Sequence, residues 1–299
     1  MQSYAILCPG QGGQFPAMFT MTGNPILSAV PADSFDRILA QPEQLFANRF
    51  AQPLVVGCGL ARWQRLRSRL PLPSLVAGYS VGELTAYGVV GALEMDCSSS
   101  LVAARAVLMD SCADPLQPQG LLAVSGLLMA TLLPVQQRHR LFVAIVNGVD
   151  RVVLGGLHSD LLAAERELQT MGAVCSSLPV SVASHTPLMQ PAAVEFAAVL
   201  ANASWSDFQI PVLSGTSALK VRTPTQAQCA LVDQLTTTIV WQDCMDACVE
   251  NGITTTLELG PGDALSRMMQ ARHPTVAARS VDAFRSLDAA CDWVLRQIS

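Results

Sequence analysis

The sequence predicts an α/β fold in which a large domain with a central, mostly parallel sheet is interrupted by a small inserted α+β subdomain of ferredoxin-like type. Three observations carry this. Apolar runs with strand character alternate with amphipathic, helix-length segments along most of the chain, the pattern of a parallel sheet with helices on its faces. Between about residues 118 and 182 the order changes to strand, helix, strand, strand, helix, strand, which is the split unit of ferredoxin-like folds. Of 299 residues, 51% are hydrophobic and only 14% charged, enough to bury a sizeable core and too apolar for a disordered chain.

Strands are expected at 4–8, 74–79, 121–126, 141–146, 151–155, 174–180, 210–214 and 254–259. Helices are expected at 54–70, 82–93, 97–112, 159–171, 187–201, 225–233, 241–251, 263–271 and 284–298. The first strand, Tyr4-Ala5-Ile6-Leu7-Cys8, is apolar throughout, as a strand buried on both faces should be. Inside the split unit the elements are Leu121–Ser125, Leu128–Arg138, Leu141–Val146, Arg151–Leu154, Leu161–Met171 and Val174–Val180, with Asn147-Gly148-Val149-Asp150 as its hairpin turn. Pro115, Pro118 and Pro179 mark the borders, so residues 1–117 and 183–299 form the large domain and 118–182 the small one.

Composition excludes several function classes. The net charge of −5 argues against a nucleic-acid partner. No apolar stretch is long enough to span a bilayer, and the first residues lack the basic region of a signal peptide. Nine cysteines are scattered singly, with no C-x-x-C pair, as expected for small buried hydrophobes in a reducing, cytoplasmic setting. The basic residues are arginines, with Lys220 the exception. Helical spacing in Ala61–Leu70 sets Trp63, Leu66 and Leu70 on one face and Arg62, Arg65 and Arg69 on another. That second face reads as solvated, or as a docking patch for an acidic carrier or for phosphates.

Chemistry concentrates at Gly78-Tyr79-Ser80-Val81-Gly82, a G-x-S-x-G turn directly after the apolar run Leu75-Val76-Ala77. Such a strand–turn–helix presents a serine oxygen above the sheet and places free helix N–H groups beneath it, where an oxyanion would develop. Pro9-Gly10-Gln11-Gly12-Gly13-Gln14 is a glycine-rich turn after the first strand, without the lysine of a phosphate-binding P-loop. Arg105 stands in the apolar run Leu101–Met109; it needs either an internal carboxylate or a substrate carboxylate as partner. His185, in Ser184-His185-Thr186-Pro187-Leu188-Met189, is one of four histidines and sits at a strand-to-helix turn, a place for a structural or a catalytic imidazole. Gln234-Leu235 before Trp241, and Glu258-Leu259-Gly260-Pro261-Gly262, are further turns entering helices.

This ordered set resembles the malonyl-CoA:acyl-carrier-protein transacylase family, from about residue 4 to residue 270. The resemblance implies a hydrolase-like large domain with the ferredoxin-like insertion. It also implies Ser80 as nucleophile, His185 as general base, and the main-chain N–H groups of Gln11 and Val81 as the oxyanion hole. Arg105 would bind the substrate carboxylate, the backbone carbonyl of Gln234 would orient His185, and Tyr79, Met109 and Asn147 would line the site. No metal or redox cofactor is implied. The partners implied are malonyl-CoA and a small acyl carrier protein with a phosphopantetheine-type or dephospho-CoA-derived thiol. The wording of the Leu7–Gly12 and Gly78–Leu84 segments is most similar to the epsilon-type subunit of malonate decarboxylase, which would add the other subunits of that enzyme as partners. A fatty-acid or polyketide transacylase and a serine esterase or thioesterase are the alternatives. Tyr79 departs from the family, which usually has histidine before the nucleophile, and Ser214-Gly215-Thr216 stands where fatty-acid enzymes more often carry asparagine.

Overall fold

The structure is a computed structural model that describes residues 3–23, 30 and 35–299. The chain runs β1 (Ser3–Cys8), α1 (Phe35–Ala40), α2 (Pro42–Phe46), α3 (Asn48–Leu66), β2 (Leu75–Gly78), α4 (Gly82–Val89) and α5 (Met95–Asp110). It continues with β3 (Gln119–Ser125), α6 (Met129–Arg138), β4 (Phe142–Gly148), β5 (Arg151–Leu157), α7 (His158–Thr170) and β6 (Val174–Ser177). Then follow α8 (Gln190–Ala201), β7 (Val212–Leu213), β8 (Lys220–Val221), α9 (Pro224–Thr236), α10 (Trp241–Glu250), β9 (Ile253–Glu258), α11 (Ala264–Arg272), β10 (Ala277–Ser280) and α12 (Leu287–Ile298).

Among the described residues there are two sheets. The larger has the order β10-β9-β1-β2-β7-β8 and is mixed: every neighbouring pair is parallel except the edge hairpin of β7 and β8. β1 lies in its middle, which explains why its residues 4–8 are all buried. One face packs against α3, α4, α5, α8, α9 and α12, through Val55, Leu84, Val102, Phe196, Leu231 and Val294 among others. The other face is covered by α10 and α11 and by residues of the smaller sheet. That smaller sheet is antiparallel, in the order β4-β5-β3-β6. Its outer face buries Leu122, Val124 and Leu154 against Leu132 and Val135 of α6 and Leu161 and Leu168 of α7. Residues 238–240 stitch the two sheets together. Ile239 N–H donates to Ala144 O at 2.9 Å, Val146 N–H to Ile239 O at 2.8 Å, and the Thr238 hydroxyl to Val143 O at 2.6 Å. None of the described helices is long and apolar enough to cross a membrane.

Several element limits differ from the sequence expectation. α3 begins at Asn48 rather than at 54, and carries Pro53 in its interior. A proline there costs about 3 kcal/mol; packing of the first turns against α5 outweighs it, because Asn48 and Gln52 are buried and bonded in that interface. β10 is absent from the expected strands because Ala277-Ala278-Arg279-Ser280 has little strand propensity; its register along β9 creates it. The arginine cluster is divided. Arg62 is only 1% exposed, not on a solvated face. It donates to Leu259 O at 2.7 Å, to Met18 O at 2.9 Å and to Asp282 at 2.5 Å. Helical spacing could not show this, since the carboxylate that receives it is 220 positions away. Arg69 is exposed and pairs with Asp288 and Asp292 of α12.

The sharp β2-to-α4 turn presses α4 against the end of β1. A Cβ on Gly82 would lie 2.1 Å from Cys8 O and 2.6 Å from Pro9 O, both backbone atoms. Gly82→Ala is therefore expected to destabilise the fold by about 3 kcal/mol or more, read as a fall in the denaturant midpoint at unchanged slope.

Candidate active site

The serine turn follows from its neighbours. β2 ends at Gly78, Tyr79 N–H donates to Cys8 O at 2.9 Å, and Gly82 and Glu83 N–H groups close back on Tyr79 O and Ser80 O, each at 2.9 Å. This holds Ser80 at φ +54°, the left-handed region that non-glycine residues seldom occupy. His185 is held in the same region, at φ +64°, by its own N–H donating to Leu235 O at 2.9 Å. Thr186 fixes the turn beyond it: its hydroxyl donates to Ala183 O at 2.6 Å and accepts from Leu188 N–H at 3.3 Å, with Pro187 at the first helical position.

These two turns, 105 positions apart, bring Ser80 Oγ to 2.8 Å from His185 Nε2. His185 Nδ1 lies 2.6 Å from the backbone carbonyl of Gln234. A carbonyl only accepts, so Nδ1 carries the proton and the Nε2 lone pair faces the serine hydroxyl. A serine placed this way can hand its proton to the ring. Burial and the nearby Arg105 charge push the imidazole pKa down to about 3, partly offset by the Gln234 carbonyl, so the ring is a neutral base across the physiological range.

Ser80 and His185 open on a cleft of about 390 Å³ between the two sheets. Gln11, Tyr79 and Asn147 share its wall, with Leu121 and Ile145 from the smaller sheet and Leu265 and Met268 from α11. Val81 sits at the N-cap of α4, one position ahead of the Gly82 and Glu83 N–H groups that are taken by Tyr79 O and Ser80 O. Tyr79 stands edge-on to Trp241, with ring centroids 5.4 Å apart. Its hydroxyl is pushed up to about 12 by burial, moderated by the neighbouring Asn147 side chain of β4, which lines the same cleft.

The Gln11 loop is supported from below. A Cβ on Gly13 would be 2.4 Å from Pro261 O, so the Gly12-Gly13 and Gly260–Gly262 loops lie in direct contact. Gly12 N–H also donates to Gln14 Oε1 at 2.7 Å. The Gly260–Gly262 loop is in turn fixed by Arg62 on Leu259 O and by Asp282 accepting from Gly262 N–H at 2.7 Å.

Arg105 and Met109 are placed otherwise than expected. Neither is part of the cleft wall. Arg105 is fully buried behind the dyad, where it donates to Gln52 Oε1 at 2.7 Å and to Gln234 Oε1 at 3.0 Å, while its Nε has no partner. Met109 Sδ packs on Gln52 Nε2 at 3.5 Å. Gln234 therefore serves twice, its backbone carbonyl on His185 and its side chain between Arg105 and Glu83, whose Oε2 accepts from Gln234 Nε2 at 2.6 Å. Gln52, Glu83 and the Gln234 side chain escaped the sequence reading. The available signal was the one that singled out Arg105: a long polar side chain inside an otherwise apolar helix.

A family model described as an acyl transferase domain matches residues 28–290. The chain is 30% identical over 298 residues to a malonyl CoA-acyl carrier protein transacylase of Mycobacterium tuberculosis, covering 95% of this chain and 98% of that protein. Its structure is similar to that of a malonyl CoA-acyl carrier protein transacylase of Coxiella burnetii, with a TM-score of 0.88 at 25% identity over 100% of this chain and 98% of the other. A malonyl-transacylase solved in complex with a type II polyketide synthase acyl-carrier protein matches with a TM-score of 0.85 at 25% identity, over 97% and 99% of the two chains.

Labelling of Ser80 by phenylmethylsulfonyl fluoride, which has no titrating group, is expected to keep its rate from about pH 8 down to about pH 5. An acid limb near the ordinary histidine value of about 6.5 would show that the ring protonates freely.

Proposed function

The chain belongs to the acyl transferase domain family, and on that premise we propose that this acyltransferase moves a malonyl group from malonyl-CoA to the thiol of an acyl carrier protein, by a ping-pong route through a malonyl-serine. The observation that carries the reading is the joining of the Ser80–His185 pair, through Gln234, to a buried arginine whose bonded partners are both uncharged side-chain oxygens. Ser80 Oγ attacks the thioester carbonyl while His185 Nε2 takes its proton. Main-chain N–H groups of Gln11 and Val81 hold the oxyanion. The C–S bond breaks, His185 returns the proton to the CoA sulfur, and the acyl group remains on Ser80. The carrier thiol then enters, gives its proton to His185, and the steps reverse to regenerate Ser80. The chemistry needs no metal or redox cofactor.

Arg105 is assigned to the distal carboxylate of the malonyl group. Because its guanidinium is held by two neutral oxygens, a carboxylate can replace one of them with a stronger, charge-assisted bond. A hydrolase reading is disfavoured by the histidine's partner. A backbone carbonyl orients the ring but supplies no negative charge, unlike the aspartate of a hydrolytic triad.

We read the unit over residues 118–182 as a ferredoxin-like insertion in a hydrolase-like domain spanning 1–117 and 183–299; the strand order β4-β5-β3-β6 and its two covering helices support this. The motif wording supports service as a malonate decarboxylase epsilon-type subunit. The named relatives support a carrier of fatty-acid or polyketide synthesis equally, and both settings use the same transfer chemistry.

Brief mixing with malonyl-CoA is expected to leave a malonyl adduct on the intact protein by mass spectrometry, absent in Ser80→Ala. Arg105→Ala should lower malonyl kcat/KM by about 30- to 1000-fold, or about 2–4 kcal/mol, and narrow the gap to acetyl-CoA. Release of free malonate without transfer to an added carrier thiol would overturn the transferase reading.

A further inference from the structure

Glu83 follows the serine turn directly and is fully buried in the first turn of α4, yet no step of the transfer uses it. Its carboxylate accepts three hydrogen bonds, from the Tyr87 hydroxyl at 3.1 Å, Gly215 N–H at 3.2 Å and Gln234 Nε2 at 2.6 Å. All three donors are neutral. The Gln234 amide stands between this acid and Arg105: its nitrogen donates to Glu83 and its oxygen accepts from Arg105 Nη2. A buried guanidinium whose bonded neighbours are neutral still requires a nearby anion, and Glu83 supplies one across a single amide group.

We propose that Glu83 is a specificity-determining residue, an internal counter-anion that competes with the carboxylate of the incoming acyl group for the charge of Arg105. The inference rests on the assignment of Arg105 to the malonyl carboxylate. When that carboxylate enters, two anions face one cation in a site closed to water, and the second is tolerated only if Glu83 takes up a proton. The acid is poised to do so. Burial raises its pKa to about 7, against the three hydrogen bonds and the Arg105 charge, which lower it. Below that value Glu83 is neutral and Arg105 is available to the acyl carboxylate; above it Glu83 is ionised and repels the acyl group. The other titratable groups around it do not change charge near neutrality. Tyr87 on α4 and Cys244 on α10 are pushed well above their ordinary values, mainly by burial. Arg105 on α5 is lowered to about 10 by burial and stays charged, and His185 stays neutral. Glu258, also raised to about 7 by burial, bonds the N–H groups of Leu265 and Ser266 and would affect charged and uncharged acyl donors alike.

The test is single-turnover acylation of the full chain by malonyl-CoA and by acetyl-CoA from about pH 6 to about pH 8.5. The acetyl donor carries the same CoA phosphates and so removes their titration from the ratio. In the native protein the malonyl-to-acetyl ratio of rate constants is expected to fall about tenfold over this range. Glu83→Gln keeps an acceptor oxygen for Gln234 and Gly215, with the Tyr87 hydroxyl turning to accept, and should hold the ratio at its acid value throughout. Tyr87→Phe removes one hydrogen bond that favours the carboxylate and should move the fall to higher pH; it serves also if Glu83→Gln does not fold. A native ratio that is flat with pH, or a Glu83→Gln protein that keeps the native fall, overturns the proposal. Arg105→Ala separates the two readings. If it leaves the ratio at about pH 6 unchanged, the carboxylate assignment itself fails; if it collapses the ratio while the native profile is flat, only the role of Glu83 fails.

Discussion

The way the buried amide of Gln234 is satisfied governs the geometry of the whole site. One residue at the end of α9 faces three functional groups belonging to other elements: the ring of His185, the guanidinium of Arg105 on α5 and the carboxylate of Glu83 on α4. Its carbonyl fixes which imidazole nitrogen is protonated, and its side chain keeps two opposite charges apart while bonding both. A fully buried amide cannot turn over without exposing a donor to a donor and an acceptor to an acceptor, so the arrangement has one orientation. The network continues outward from Arg105 through Gln52 to Asn48 and Asp110, tying α3 to α5. Changes along this line should therefore couple rather than add.

A second buried group supports the opposite wall. Arg62 and Asp282 link α3 to the loop after β9, and that loop carries the glycine turn of Gln11. The same helix, α3, thus contributes Gln52 behind the Ser80–His185 pair and Arg62 to the floor under the Gln11 loop. Ser80 and His185 both sit in strained backbone conformations, each held by hydrogen bonds from neighbouring backbone. Strain of this kind, about 1–3 kcal/mol per residue, survives where the surroundings over-determine the turn.

What was legible in the sequence was what short-range chemistry dictates. The turn at Ser80 needs small neighbours and an immediate helix start, and Thr186-Pro187 after His185 announces its own capped turn, so both residues could be found from a few adjacent positions. The split order of residues 118–182 was readable because hydrophobic period switches between helix and strand there. Other features were not. Arg62 shares its helical spacing with exposed arginines and differs from them only because Asp282 and Leu259 arrive from elsewhere in the chain. The helix expected from residue 54 begins instead at Asn48, where the α3–α5 interface holds its first turns.

Local patterns were enough for the α/β class, for most of the element order though not for α1, α2, β8 and β10, and for singling out Ser80 and His185 as candidates, since each of these rests on residues within a turn or two of one another. Packing alone settled where Arg105 points, which oxygens hold it, that Glu83 stands behind the amide of Gln234, and that Met109 stays out of the cleft wall. Burial accounts for the difference. A polar side chain removed from water must find its partner wherever the packed elements bring one, here across separations of 53, 129 and 151 positions, and no local pattern encodes that meeting.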